Sequence, residues 1–399
     1  MNNSQSILIF GVGMLQRSII ERAHKRGLFV VGIDPCADAC CKDIVDAFEI
    51  VGGEDFEGTI NVVRKYHISA IVTAATDKPL VMMARLAEIL HLPFYSVETA
   101  QVSTDKLLMK QRFMQYGVPC AKGGILTDIE RLDEQDFSYP VIVIPRDNSG
   151  SRGVMFCNNK ADILVAWKEA MSYTRKASVL VEEYIDGSEY SIESVHVGGK
   201  STVIQFTQKR ITDFPYNVEL GHIQPADLSE KVKEEIRCVI QRIGAALGFD
   251  NCCSHTELKI SSSEIKVIET SPRLGGDFIT SHLTPLSTGI NIEDILLKLS
   301  LGEHIEENEL VSVVEKYSGV RFFDLPEGEI KEVKNIDELK YIKGIQFYRF
   351  DLKKGDRVNK ITSSLSRYGY ALFQTNAHDE LLRSFDECDK VLASAITIV

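Results

Sequence analysis

This 399-residue chain lacks long apolar runs, a basic leader, basic clusters and paired cysteines. Its longest apolar runs, such as Val141-Ile142-Val143-Ile144, are strand-sized, far below the roughly 18 residues a membrane span needs. No basic region precedes an apolar stretch in the opening MNNSQSILIFGVG, so no signal peptide is expected and the expected compartment is the cytoplasm. Lysine and arginine total 45 against 57 acidic residues, a net charge of −12, and no basic run reaches five. Such a chain repels nucleic acid unless its basic residues gather in a patch. Nine cysteines without a secretory signal argue against a disulfide framework. Cys36, Cys40, Cys41 and the pair Cys252-Cys253 lack the paired C-x-x-C spacing of a zinc site and read as small buried hydrophobes. Neither a Ser-His-Asp nor a Cys-His set has persuasive spacing.

What is present is ordinary globular chemistry, 44% hydrophobic and 26% charged. The length suggests two or three domains, at roughly 150 residues each. Residues 7–10, 29–33 and 70–73 read as buried strands, alternating with helical periodicity over 15–25, 60–66 and 80–91. Alternation of this kind predicts a doubly wound parallel sheet over 1–103. From Thr104 the pattern becomes α+β: helices over 106–116, 160–172 and 229–247, and strands over 139–144, 178–184, 190–197, 203–206, 255–260 and 265–269. Short turns at Gly198-Gly199 and Ser261-Ser262-Ser263 predict antiparallel hairpins. An acidic, helix-like stretch over 302–309 divides this unit, 104–305, from a last α+β unit, 306–399, with a helix near 379–392.

Gly11-Val12-Gly13 after the first strand, with Asp34 ending the second, resembles a dinucleotide fingerprint, but Gln16 stands at the third glycine. An NAD(P)-dependent oxidoreductase is therefore a weak alternative. The stretch YPVIVIPRDNSGSRGV is a better nucleotide candidate: a buried strand enters a loop carrying Ser149, Gly150, Ser151, Arg152 and Gly153, whose amides and hydroxyls suit phosphate. Turn chemistry alone would also explain that loop. Glu257 and Glu269 lie twelve residues apart on either side of the serine turn. A three-residue loop, 262–264, would set them directly opposite one another, where two carboxylates repel unless a divalent cation lies between them. Arg273, in SPRLGGD, is placed to clamp a carboxylate or acyl phosphate. His222 and His255 are as readily structural as substrate-facing.

Together these segments resemble the ATP-grasp superfamily of carboxylate–amine ligases, which includes biotin carboxylase, carbamoyl-phosphate synthase, glycinamide ribonucleotide synthetase and the L-amino-acid ligases. The likeness runs through nearly the whole chain and rests on the order of its motifs. It implies a Rossmann-like pre-ATP-grasp domain (1–103), a two-lobed ATP-grasp domain (104–305, mobile lobe about 120–185) and a small carboxy-terminal domain (306–399). By resemblance, Lys106 of STDKLLMK is a nucleotide lysine and NSGSRGV is the flexible glycine loop. VEEYIDGSEYS is the hinge, with Glu182, Glu183, Tyr184 and Ile185 at adenine and Glu189 at ribose. Glu257, Glu269 and Ser271 become the metal positions, and Lys106 and Arg273 the charges at the reacting centre. ATP and Mg²⁺ (or Mn²⁺) are the implied cofactors, and small carboxylates and amines the substrates. No nucleic-acid or membrane partner is implied, and a homodimer is left open. Ile144 stands where the family usually has lysine, and Ser271 where asparagine is common. The first departure keeps a non-catalytic nucleotide-binding protein as an alternative. Arg146, on the same strand face as Ile144, is expected to take over the phosphate contact together with Arg152, while Ile144 packs on adenine.

Overall fold

The computed structural model describes residues 5–134, 138–148, 150, 152–212, 217–261 and 264–399. Ser149 and Ser151, and the turn residues Ser262 and Ser263, lie outside the described residues. Strands β1 (Ser6–Phe10), β2 (Phe29–Asp34), β3 (Ala47–Ile50) and β4 (Ile68–Thr73) form a parallel sheet in the order β3-β2-β1-β4. Helices α1 (Arg17–Lys25), α2 (Phe56–Tyr66), α3 (Leu80–Leu90) and α4 (Val97–Thr104) accompany it. Successive strand side chains alternate faces, so the sheet has two cores. Leu8, Phe10, Val31 and Ile71 pack toward α2 and α3, whereas Ile7, Ile9, Val30 and Val72 pack toward α1. β3 and α4 went unread because their polar and small residues mask the periodicity.

Helix α5 (Lys106–Tyr116) opens the next unit, followed by β5 (Gly123–Leu126), β6 (Val141–Pro145), β7 (Met155–Cys157), α6 (Lys160–Tyr173) and β8 (Val179–Glu183). These four strands form a small separate sheet, β5-β8-β6-β7, with α6 buried on it. Then come β9 (Ser188–Val197), β10 (Lys200–Ile211), β11 (Glu219–Gln224), α7 (Glu230–Leu247), β12 (Cys252–Ile260), β13 (Ile265–Ser271), α8 (Thr284–Thr288) and α9 (Ile292–Ser300). The chain ends in β14 (Tyr317–Phe322), β15 (Gly328–Val333), β16 (Ile345–Phe350), β17 (Arg357–Val358), β18 (Gly369–Thr375), α10 (His378–Ala395) and β19 (Ile396–Ile398). The expected hairpins β9–β10 and β12–β13 are antiparallel. β10 runs well beyond the expected 203–206, because Thr207 and Lys209 are buried among polar partners rather than solvated.

Two features cross the expected boundaries. An eight-stranded sheet runs β13-β12-β9-β10-β11-β14-β18-β16, so the carboxy-terminal strands continue the central sheet. Leu297 of α9 joins the core of the first sheet. The acidic stretch expected to be helical forms only one tight turn, Glu307–Leu310, because its charges leave no apolar face to bury.

Candidate active site

Helix α5 begins at Lys106. Asp105 caps it, accepting from the Leu107 amide at 3.0 Å, and Gly117 ends it in the left-handed region at φ +64°. Met109 and Phe113 bury its inner face in the core shared with α7. The helix thus fixes Lys106 against β13, where its ammonium forms an ion pair with Glu269. Burial pushes the Lys106 ammonium below its ordinary pKa, against the attraction of Asp77 and Glu257.

Glu257 and Glu269 are directly opposed cross-strand partners. The expected three-residue loop is not the reason. Ile260 pairs with Ile265, so four residues connect the strands, and a bulge between Glu257 and Leu258 restores the register. A four-residue connection alone would have turned the two carboxylates to opposite faces; one extra residue in the ladder reverses that. Lys209, nearly fully buried, meets Glu189 at 2.6 Å, Glu257 at 3.0 Å and Glu219 at 3.4 Å. Burial opposes the Lys209 charge, yet Glu189, Glu257 and Glu219 outweigh it and raise its pKa well above the ordinary value. Despite burial, Lys209 and His255 hold the Glu257 carboxyl well below the usual range.

Behind Glu257 lies a buried relay that sequence reasoning missed. His255 Nδ1 lies 2.5 Å from Glu193 Oε1, and its Nε2 lies 3.2 Å from Glu257 Oε1. Burial disfavours the imidazolium, but Glu193 and then Glu257 outweigh it and push the His255 pKa up to about 9. The Gly275 amide donates to the second Glu193 oxygen at 3.3 Å. A Cβ at Gly275 would lie 2.6 Å from His255 Nδ1, so glycine is required here for contact with this relay. The i, i+2 pair His255 and Glu257 was the one sequence signal for this relay, and Glu193 left none.

Arg273 forms a bidentate pair with Asp77, both contacts 2.9 Å, and Ser271 donates to the same carboxylate at 2.6 Å. Against burial, each partner of the Arg273–Asp77 pair favours the charged form of the other. Arg146 donates to Asp105 at 2.7 Å and to Ser178 Oγ at 3.0 Å. Arg152 donates to the Asn148 side chain at 3.0 Å. Lys106, Arg146, Arg152, Glu269, Ser271 and Arg273 line one cavity of about 1010 Å³.

Glu182, Glu183, Tyr184, Ile185 and Glu189 do not line that cavity. Glu182 pairs with Lys110 at 3.0 Å and Glu183 with Lys266 at 2.7 Å; the Ile185 carbonyl accepts from Lys259 at 3.1 Å. Ile144 is half-buried on β6, and Gly150 and Gly153 both have positive φ. His222 is buried 3.5 Å from Asp277. Asp277 is also held by Arg367 at 2.6 Å, and against burial Arg367 and then His222 keep its carboxyl below the usual range.

At the Gly11 loop, the Gln16 side chain fills the space beside Gly11 and accepts from the Gly13 amide at 3.1 Å. Asp34 accepts from the amides of Val12 and Cys36, both at 2.9 Å. The groups a dinucleotide would use are therefore occupied by the loop itself, while Leu15 lies against Gly276.

Residues 137–281 match the ATP-grasp domain model, and residues 321–394 match that of L-amino acid ligase C-terminal domain 2. The chain thus carries an ATP-grasp domain. Its carboxy-terminal segment is of the L-amino acid ligase type. It is 25% identical over 316 residues to the formate-dependent phosphoribosylglycinamide formyltransferase of Synechocystis, covering 75% of this chain and 76% of that one. It is 27% identical over 248 residues to the alanine–anticapsin ligase of Bacillus subtilis, covering 56% and 52%. The chain spans 40% of the carbamoyl phosphate synthase large chain, N-terminal section, of Methanopyrus kandleri, and that match, at 26% identity, takes in 56% of this chain. In fold it superposes on the L-amino acid ligase of Bacillus licheniformis with a TM-score of 0.84, at 20% identity over 100% of this chain and 99% of that one.

A divalent cation fits this donor set. Among the described residues no group of three or more His, Cys, Asp or Glu side chains is arranged to hold a metal ion by itself. The protein therefore offers a carboxylate pair, already neutralised by Lys106 and Lys209. Mg²⁺ typically takes one or two carboxylates and completes its shell with substrate phosphates and water.

Proposed function

We propose that this protein is an ATP-dependent ligase that activates a carboxylate as an acyl phosphate for attack by an amine, releasing ADP and phosphate. One observation carries the reading: Glu257 and Glu269 are opposed on one sheet face, with Glu269, Lys106 and Arg273 together on one cavity wall. In this reading 1–103 is the pre-ATP-grasp domain, 104–305 the ATP-grasp domain with a mobile lobe over 120–185, and 306–399 the carboxy-terminal domain. Glu257 and Glu269, with the Ser271 hydroxyl, would hold Mg²⁺ (or Mn²⁺), which when bound neutralises charge on the phosphates.

Lys106 and Arg273 counter charge on the transferring phosphoryl group, and Arg146 and Arg152 hold the phosphate tail. Glu182, Glu183, Tyr184 and Ile185 would flank adenine with Ile144, and Glu189 would hold the ribose. The loop carrying Ser149, Gly150, Ser151 and Gly153 closes over the phosphates and excludes water from the acyl phosphate. The amine lone pair then attacks the acyl carbon, phosphate leaves, and the surplus amine proton passes to solvent. The setting is cytoplasmic, with a homodimer as the assembly to test.

The test is coupled measurement of ADP and phosphate on mixing ATP, Mg²⁺ and pairs of amino acids. Turnover that Glu269→Gln silences supports the reading. ATP binding without phosphate release from any pair would leave a non-catalytic nucleotide-binding protein.

A further inference from the structure

The sheet face that carries the opposed pair holds more acid than one divalent cation needs. Glu189 on β9, Glu219 on β11 and Glu257 on β12 converge on the Lys209 ammonium at 2.6, 3.4 and 3.0 Å. Lys209 stands on β10, between β9 and β11 in the sheet. Its side chain is only 3% exposed, and an ammonium has three N–H groups. Three carboxylates match those groups, and burial keeps the ammonium away from nucleotide and substrate. Ser191 lies on the same face, directly opposite Glu257. Its hydroxyl is fully buried and, among the described residues, has no hydrogen-bond partner.

Charge decides what such a floor holds. Three acids around one point repel one another unless a cation lies among them, and carboxylates with hydroxyl or water oxygens suit a divalent ion as well as an ammonium. Two-metal phosphoryl-transfer sites use acid-rich floors to hold a pair of ions on one phosphate. Here the carboxylates of Glu189, Glu219, Glu257 and Glu269 face the ammonium groups of Lys106 and Lys209, while Glu193 has its own partner in His255. The surplus is two negative charges, which one divalent ion cancels. A second divalent ion at the acid trio has to displace a buried ammonium and strand it without a partner, which is strongly unfavourable.

We propose that Lys209 is a resident cation that takes the place of a second metal ion, so that this centre holds nucleotide with one divalent ion, at Glu257 and Glu269, rather than two. The inference rests on the ligase reading above and adds the metal stoichiometry of its site. Lys209 acts through the acids it holds and is therefore a positioning residue. Lys209 and His255 both meet Glu257 at Oε1, which leaves the other oxygen for the divalent ion. The same ammonium also ties Glu257 to Glu189, so one charge fixes the metal acid and the acid assigned to ribose.

Mn²⁺ is the probe. Titrated into the protein loaded with stoichiometric ADP, with free Mn²⁺ counted by electron paramagnetic resonance, it should show one tightly bound ion per chain. Lys209→Ala should take up a second ion about tenfold or more tightly than the parent does, since one repelling charge is gone. Lys209→Gln should do so more weakly, and Lys209→Arg should keep one ion. Without nucleotide, Mn²⁺ should raise the melting temperature of Lys209→Ala more than that of the parent, because the ion replaces the ammonium among the three acids. A lysine with a merely structural role would lower stability without creating a metal site.

Two tightly bound ions in the parent overturn the proposal. So does Lys209→Ala with one ion and no added Mn²⁺-dependent shift in melting. Variants that fold only with Mn²⁺ present support it, and if they fold under neither condition the parent's count decides alone. Two ions in a parent that releases phosphate from ATP sink this inference and leave the ligase reading standing. A parent that binds ADP but no Mn²⁺ removes the metal from both.

Discussion

Lys106 and Glu269 form an ion pair, so the substitutions at this pair are informative one residue at a time. Glu269→Gln keeps the shape and leaves Lys106 a hydrogen-bond acceptor, so the fold should survive. Turnover should fall by about 10² or more, the scale of losing one electrostatic contact at a reacting centre, and steady-state phosphate release with a thermal melt checks both halves.

His255 offers a pH test. Its folded pKa is raised to about 9, against roughly 6.5 when unfolded. The stabilisation is therefore complete below about pH 6.5 and lost as pH rises through about 9, because folding takes up a proton across that window. The stability advantage of the parent over His255→Asn should shrink by up to about 3 kcal/mol between pH 6 and pH 10. Denaturant titrations at both ends measure it, and a gap independent of pH would mean His255 folds uncharged.

At the scale of single elements, α5 and the β12–β13 hairpin show what the sequence could and could not disclose. The range of α5 was legible in the sequence, and the structure adds the Asp105 cap and the left-handed Gly117 that bound it. The opposition of Glu257 and Glu269 was legible too, but for a reason that failed: loop length and bulge together set the register, and a bulge leaves no mark in hydrophobic alternation. The relay through Glu193 was illegible because its partners come from strands sixty-two residues apart.

α5 also carries a prediction. Asp105 both caps the helix and holds Arg146. Asp105→Ala should cost about 1 kcal/mol for the cap alone, while Asp105→Asn keeps the cap and releases the arginine. If Arg146 is the substitute for the lysine absent at Ile144, Arg146→Ala should weaken ATP binding about ten- to a hundredfold. Asp105→Asn should leave ATP binding as tight or tighter. Calorimetric ATP titration of both variants checks this, and equal weakening by the two would assign Arg146 to holding α5 rather than phosphate.

For the molecule as a whole, the alternation of strands and helices made the first sheet readable, whereas the joining of the last unit to the central sheet had no local signature. β14 hydrogen-bonds β11 on one side and β18 on the other. Ile223 of β11 belongs to the core formed by Phe373, Phe385 and their neighbours. Arg367 neutralises Asp277 and lies 3.6 Å from the centre of the Phe322 ring. A chain ending at residue 305 would thus expose β11 as a new edge strand, uncover Ile223 and leave Asp277 without its guanidinium. Unpaired edges and uncovered apolar surface promote association, and a partly buried carboxylate that loses its guanidinium is destabilised further. The truncated protein should therefore be largely insoluble on expression, and any soluble fraction should melt well below the parent. Gel filtration and thermal melting of the 1–305 fragment decide it. A monodisperse fragment with parental ATP affinity would mean that 306–399 folds as a separable unit and that the shared sheet contributes little to holding the site.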